Sequence, residues 1–122
     1  MRASSLSRRS KPGRRLESAQ VIAIWAARLA LYVGLFAGAV TERTRVLAFS
    51  HVQYSDGAVL PVKELAQFAR QRNIITVVDG AQAIGMLDFT LRDLGCDFYA
   101  GSFHKWLGGS HGTGMLYARR EM

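Results

Sequence analysis

Apolar positions divide the chain into two unlike stretches. "AQVIAIWAARLALYVGLFAGAV" (19–40) is almost continuously apolar, interrupted by Gln20 and Arg28. From residue 41 onward, apolar residues instead come in short runs separated by polar turns. "RVLAFS" (45–50) is such a run, bounded by charge before and a polar turn after, as expected of a buried strand. "SDG" (55–57) marks a turn. Pro61 then opens a helix whose Val62, Leu65, Phe68 and Ala69 share one face, and Asn73 stops it. "IITVV" (74–78) is a β-branched run and predicts a central strand. "TLRDLG" (90–95) places Thr90 and Asp93 in a capping-box-like arrangement with Gly95 as the stop. "DFYAG" (97–101) and "GMLYAR" (114–119) predict a third and a fourth strand.

The β-α-β-α-β order implies parallel strands joined by right-handed crossovers. Residues 102–113 are too few for a helical crossover, so the fourth strand is expected to be antiparallel. The fold class is therefore α/β, part of a mostly parallel sheet with crossover helices. At 122 residues the chain holds one domain at most, and it is long enough to bury a core. Three divisions follow: a basic tail (1–15), an apolar helix or leader (16–40) and the alternating region (41–122).

The apolar stretch admits three readings. A membrane span needs about 20 apolar residues, but Arg28 near the middle opposes insertion by about 2.5–3.5 kcal/mol. A signal peptide would use the basic tail, the apolar run and Ala37-Gly38-Ala39 as its cleavage site. A buried or half-buried helix of Ala, Leu and Ile ending at Gly38 is the plainest reading. The net charge of +7 belongs to the tail: Arg2, Arg8, Arg9, Lys11, Arg14 and Arg15 carry it with no acid among them. Beyond residue 15, basic and acidic residues nearly balance, and no nucleic-acid motif follows, so specific nucleic-acid binding is not expected. One cysteine, Cys96, excludes an internal disulfide and fits a reducing compartment.

In an open parallel sheet, ligands bind beyond the carboxyl ends of the strands. Those ends carry Ser50-His51, Asp79-Gly80-Ala81-Gln82 and Ser102-Phe103-His104-Lys105, all polar and all expected on one edge. A lysine at an apolar strand end is a candidate nucleophile that forms Schiff bases. A carboxylate at the end of a buried strand, Asp79, needs a cationic or hydrogen-bonding partner. The protonated ring nitrogen of pyridoxal phosphate is one such partner, and a nearby Asp keeps that proton in place. Taken alone, Asp79 would be a cap before "AQAIG", and His51 and His104 would be structural histidines.

"VVDGAQ" (77–82) followed by "GCDFYAGSFHKWLGGSHGTGMLYAR" (95–119) closely resembles the class V aminotransferase family of pyridoxal-phosphate enzymes. That group includes cysteine desulfurases, selenocysteine lyases and isopenicillin N epimerase-like proteins. "TRVLAFSHVQYSDGAVLPVKEL" (44–65) resembles the segment before the aspartate, and the resemblance begins near residue 33. It implies that the sheet is a fragment of the large domain of a fold-type I enzyme using pyridoxal 5'-phosphate. It also implies that Lys105 is the Schiff-base lysine and that Asp79 is the pyridinium partner. By the same resemblance Gln82 bonds the ring phenolate oxygen, and Ser102 and His104 bind the phosphate. Trp106 matches a position often Trp in the epimerase-like branch, where it packs on the lysine loop. Tyr54 stands where desulfurases tend to have Asn, which argues against that branch.

The family's threonine-bearing phosphate turn, its ring-stacking residue and its carboxylate-binding arginine have no counterpart here. The implied function is a fragment of a class V lyase, transferase or epimerase acting on an amino acid or amine, incomplete for catalysis. The alternative is an inactive remnant serving as a binding or membrane-associated interaction module. The resemblance further implies a small amino substrate, a homodimer in the full-length family and a cytoplasmic location. Export or membrane attachment through residues 1–40 stays open beside it.

Overall fold

The computed structural model describes residues 18–120; the expected basic tail lies outside them. The element order is α1 (Ser18–Ala39), β1 (Val46–Ser50), α2 (Val62–Arg70), β2 (Ile75–Asp79), α3 (Leu91–Leu94), β3 (Phe98–Ser102) and β4 (Gly114–Ala118). The strands form one sheet in the order β1-β2-β3-β4. β1 and β2 are parallel, as are β2 and β3, while β4 runs antiparallel to β3.

Local chemistry sets most of the boundaries. Asn73 takes a left-handed conformation (φ 55°), which ends the α2 segment, and the Ile74 N–H donates back to Ala69 O (3.0 Å). With that N–H spent, Ile74 drops out of the expected 74–78 strand, and the ladder runs instead from Ile75 to Asp79, which pairs with Ser50. Thr90 caps α3 by accepting from the Asp93 N–H, and Gly95 closes it in the left-handed region (φ 67°).

One face of the sheet is covered. Leu47 and Phe49 of β1, Val78 of β2 and Tyr99 of β3 pack with Val62, Leu65, Ala66 and Ala69 of α2 into a single core. α1 is a continuous helix that passes through Gly38 to Ala39. It docks through Tyr32, Val33 and Phe36, with the Phe36 ring edge-on to Phe49 at 5.3 Å. Leu31 and Leu35 are more than half exposed, so α1 is only partly docked. About 33 Å of helix cannot lie wholly on strands about 17 Å long. Among the described residues, no helix is long and apolar enough to cross a membrane.

The other face is open. Val46, Ile75, Val77 and Leu116 stand exposed on it, Leu116 at 72%. It ends at the carboxyl edge with Ser50 beside Asp79.

The amino ends of the strands are tied together by Asp97. Its Oδ2 accepts from Thr76 N (2.8 Å) and Thr76 Oγ1 (2.9 Å), while its own N–H donates to Thr76 Oγ1 (2.9 Å). Its Oδ1 accepts from Arg119 Nε (2.9 Å) and pairs with the guanidinium at 2.8 Å. Arg119 N also donates to Asp97 O (2.8 Å). One side chain thus joins β2, β3 and the end of β4. Burial opposes ionisation of Asp97, but the Thr76 hydrogen bonds and the Arg119 charge outweigh it and hold the carboxyl below the usual range. A depressed native pKa stabilises the fold above the ordinary carboxylate value and loses that contribution as pH falls through the native one.

Asp97→Asn is expected to lower unfolding stability by about 1–3 kcal/mol, the scale of leaving buried partners unmatched. Urea denaturation at several pH values checks both parts. The gap between wild type and variant should be full at neutral pH and narrow as pH drops below about 4.

Candidate functional site

Ladder hydrogen bonds continue past the strand ends and hold the three carboxyl termini together. His51 N donates to Asp79 O (2.8 Å), and Gly80 N donates to Ala100 O (2.7 Å). Asp79 faces the open side of the sheet, in register with Ser50 on one flank and Ala100 on the other. Both neighbours are small, so the carboxylate is not crowded in its own row. Asp79 Oδ1 accepts from Ala81 N (2.9 Å). The carboxylate therefore caps the turn, as expected of Asp79 taken alone, and only one of its oxygens is used in doing so.

Gly80 points the other way, into the core. A Cβ there would overlap the Tyr99 ring, and a Cβ on Gly101 would overlap Ile84. The two glycines allow residues 80–87 to fold tightly under the end of β3. Ala83 and Ile84 N–H groups donate to Gly80 O, and Met86 and Leu87 N–H groups donate to Ala83 O. The segment is a pair of overlapping turns, not a regular helix.

His51 is buried, and its Nδ1 lies 2.8 Å from the Tyr99 hydroxyl. Its ring meets Phe89 edge-on at 5.0 Å. Burial pushes the imidazole below its ordinary value and the Tyr99 phenol well above its own. His51 is thus a satisfied core histidine on the face opposite Asp79, and its neutral form is the one the fold retains.

The loop after β3 carries Ser102, His104 and Lys105. Ser102 pairs with Gly114 at the strand end and is half-buried. His104 Nδ1 is buried without a hydrogen-bond partner among the described residues, and its ring stacks on His111 at 5.0 Å. Lys105 is exposed. The apolar strand-end surroundings expected for this amine are therefore not provided by the described residues, although Ser102, Phe103 and His104 before it are half-buried. The next two residues face back: Trp106 Nε1 donates to Gln82 Oε1 (3.0 Å), and Leu107 lies against Gly85, where a Cβ would fall 2.9 Å from Leu107 N. Tyr54, at the tip of the 51–60 loop, is 87% exposed.

The five expected site residues thus divide among two structural units at one edge: Asp79 and Gln82 on the turn after β2, and Ser102, His104 and Lys105 at and beyond the end of β3. His111 was not singled out from sequence. A histidine between Ser110 and Gly112, flanked by glycines on both sides of the loop, was the only available signal. The arrangement suits an anionic, carbonyl-bearing ligand. It offers an exposed primary amine, an imidazole nitrogen lacking a partner, a half-buried hydroxyl and a carboxylate with a free oxygen and small neighbours.

Comparison with known proteins agrees with these motifs. The profile described as aminotransferase class-V matches residues 19–122, taking in α1 as well as the sheet. Isopenicillin N epimerase from Amycolatopsis lactamdurans is 54% identical over 79 residues, covering 65% of this chain and 20% of that protein. A probable cysteine desulfurase from Xylella fastidiosa is 47% identical over 81 residues, 66% of this chain and 19% of that one. The crystal structure of the cysteine desulfurase CsdA from Escherichia coli superposes with a TM-score of 0.66 at 32% identity, over 71% of this chain and 22% of that one. The chain spans about a fifth of the length of the curated relatives it matches.

Gly80→Ala is expected to destabilise the fold by about 1–3 kcal/mol, since the added methyl must displace the Tyr99 ring. Chemical denaturation measures this. A change within about 0.5 kcal/mol, the range of an ordinary surface substitution, would show that the close approach is not needed.

Proposed function

The chain belongs to the aminotransferase class-V family, and from that premise we propose that its carboxyl edge is the cofactor-binding edge of a pyridoxal-phosphate enzyme. Residues 41–122 then form part of the cofactor-binding large domain, and the substrate is an amino acid or amine. The reaction is that of a lyase, transferase or epimerase. What supports this most is the placement of Lys105, Asp79 and Gln82 on units joined at one edge, beside a buried His104 nitrogen that lacks a partner.

Each residue has a defined task. Lys105 would supply the amine that holds the cofactor aldehyde and would move the proton at the substrate Cα. Ser102 and His104 would donate to the phosphate, which would hold the aldehyde near the amine and make their encounter local. Asp79 would use its remaining oxygen to hold a proton on the ring nitrogen. Gln82 offers its amide to the phenolate oxygen. When bound, pyridoxal phosphate supplies the electron sink for bonds broken at the substrate Cα. The small residues flanking Asp79 leave the approach to it clear.

Borohydride trapping tests the assignment, because each reduced linkage is permanent and accumulates even when binding is weak. The full chain is incubated with pyridoxal phosphate, reduced and peptide-mapped. Label is expected on Lys105 in preference to Lys63, which lies on the exposed face of α2. Label distributed equally between the two would overturn the proposal. In an enzyme completed with the family's remaining segments, Asp79→Asn should keep the label on Lys105 while slowing exchange of the substrate Cα proton with deuterated solvent. Unchanged exchange would return Asp79 to turn capping alone.

A further inference from the structure

The hydrogen bond between Trp106 and Gln82 carries more than packing. An indole N–H only donates, so the amide atom facing it must be the oxygen. That constraint settles which way the Gln82 amide points, an orientation otherwise open to a half-turn. With Oε1 accepting from Trp106 at 3.0 Å, the amide NH2 is the group left over, able only to donate. Without the indole, nothing among the described residues prefers one orientation, since Gln82 has no other hydrogen bond there.

The contact also spans the two units of the site. Trp106 follows Lys105 directly, while Gln82 lies three residues beyond Asp79. Leu107 makes a second point of contact, on Gly85, whose positive φ (82°) and lack of Cβ allow the loop backbone to come close. The lysine loop is therefore held on the 80–87 turn at two adjacent residues.

We propose that Trp106 is a positioning residue: its indole N–H fixes the Gln82 amide so that the NH2 is presented to the ligand's phenolate oxygen, and ties the Lys105 loop to the Asp79 turn. The inference rests on the cofactor reading of this edge. It concerns an acceptor oxygen on the ligand, because an anionic phenolate needs a donor and Gln82 can offer one only in this orientation.

Two substitutions separate the parts. Trp106→Phe keeps a ring and removes the donor. Gln82→Glu keeps an acceptor for the indole but has no NH2 to donate. Without ligand, hydrogen exchange of the Trp106 indole N–H, assigned by its loss in Trp106→Phe, is followed by NMR. Exchange should quicken about fivefold in Gln82→Leu, the factor that corresponds to a net hydrogen bond, and stay within about twofold of wild type in Gln82→Glu. Equal exchange in wild type and Gln82→Leu would overturn the clasp.

With pyridoxal phosphate, the rate of borohydride-trapped labelling at Lys105 is compared across wild type, Trp106→Phe, Gln82→Glu and the double variant. Gln82→Glu should label about fivefold more slowly and Trp106→Phe about two- to fivefold more slowly, and the double variant should label no more slowly than Gln82→Glu alone, because both changes act through the one Gln82 amide donor. Multiplying effects would show that Trp106 acts apart from Gln82 and overturn the positioning role. If wild type carries no preferential label at Lys105, the cofactor reading fails and the phenolate part fails with it. The exchange result then still decides whether the clasp exists.

Discussion

Gly80 and Tyr99 meet at the seam between β2 and β3, in a space where a single added carbon would overlap the ring. That contact governs what can be placed at the carboxyl edge. It brings the 80–87 turn under the end of β3, with Gly101 giving Ile84 the same freedom one strand over. From there Gln82 and Gly85 become reachable by Trp106 and Leu107. A bulkier residue at position 80 would push the turn away from β3 and separate Asp79 from the lysine loop. Tyr99 is itself held by His51 through a buried hydrogen bond, so the core histidine supports the site without belonging to it.

The two ends of the sheet have different work. At the amino end, Asp97 satisfies itself completely against Thr76 and Arg119, which is how a buried carboxylate comes to favour the fold. At the carboxyl end, Asp79 uses one oxygen and His104 Nδ1 has no partner among the described residues, while Lys105 is exposed. Polar groups that a fold has not satisfied internally are the ones available to a ligand. The open apolar face gives the same contrast on a larger scale. Its strands are apolar on both sides, as in sheets covered on both faces, yet only one face is covered among the described residues.

Much of this was legible along the chain, because the signals were local. Thr90, Gly95 and Asn73 act within a few residues of themselves, through caps and left-handed backbone, and they placed the helix ends to within a residue or two. The β-branched and apolar runs gave the strands, and the short 102–113 loop implied an antiparallel β4. The family resemblance rested on contiguous motifs, and the matching profile extends it through α1.

Those residue types and their order determined the α/β class, the parallel strands with an antiparallel fourth and the edge at which the polar residues collect. Only the tertiary structure decided their partners. His51 and Asp79 come from the ends of neighbouring strands, but one turns into the core toward Tyr99 and the other onto the open face. Lys105 is exposed although the strand before it is apolar, and among the described side chains α1 meets the core through Tyr32, Val33 and Phe36 while Leu31 and Leu35 stay exposed. Asp97 gave no sign of joining three strands, since Thr76 and Arg119 lie 21 and 22 residues away. Local sequence sets backbone conformation within a turn or two. Which face a side chain takes, and what it meets there, depends on strand register and depth, and these exist only once distant segments have packed.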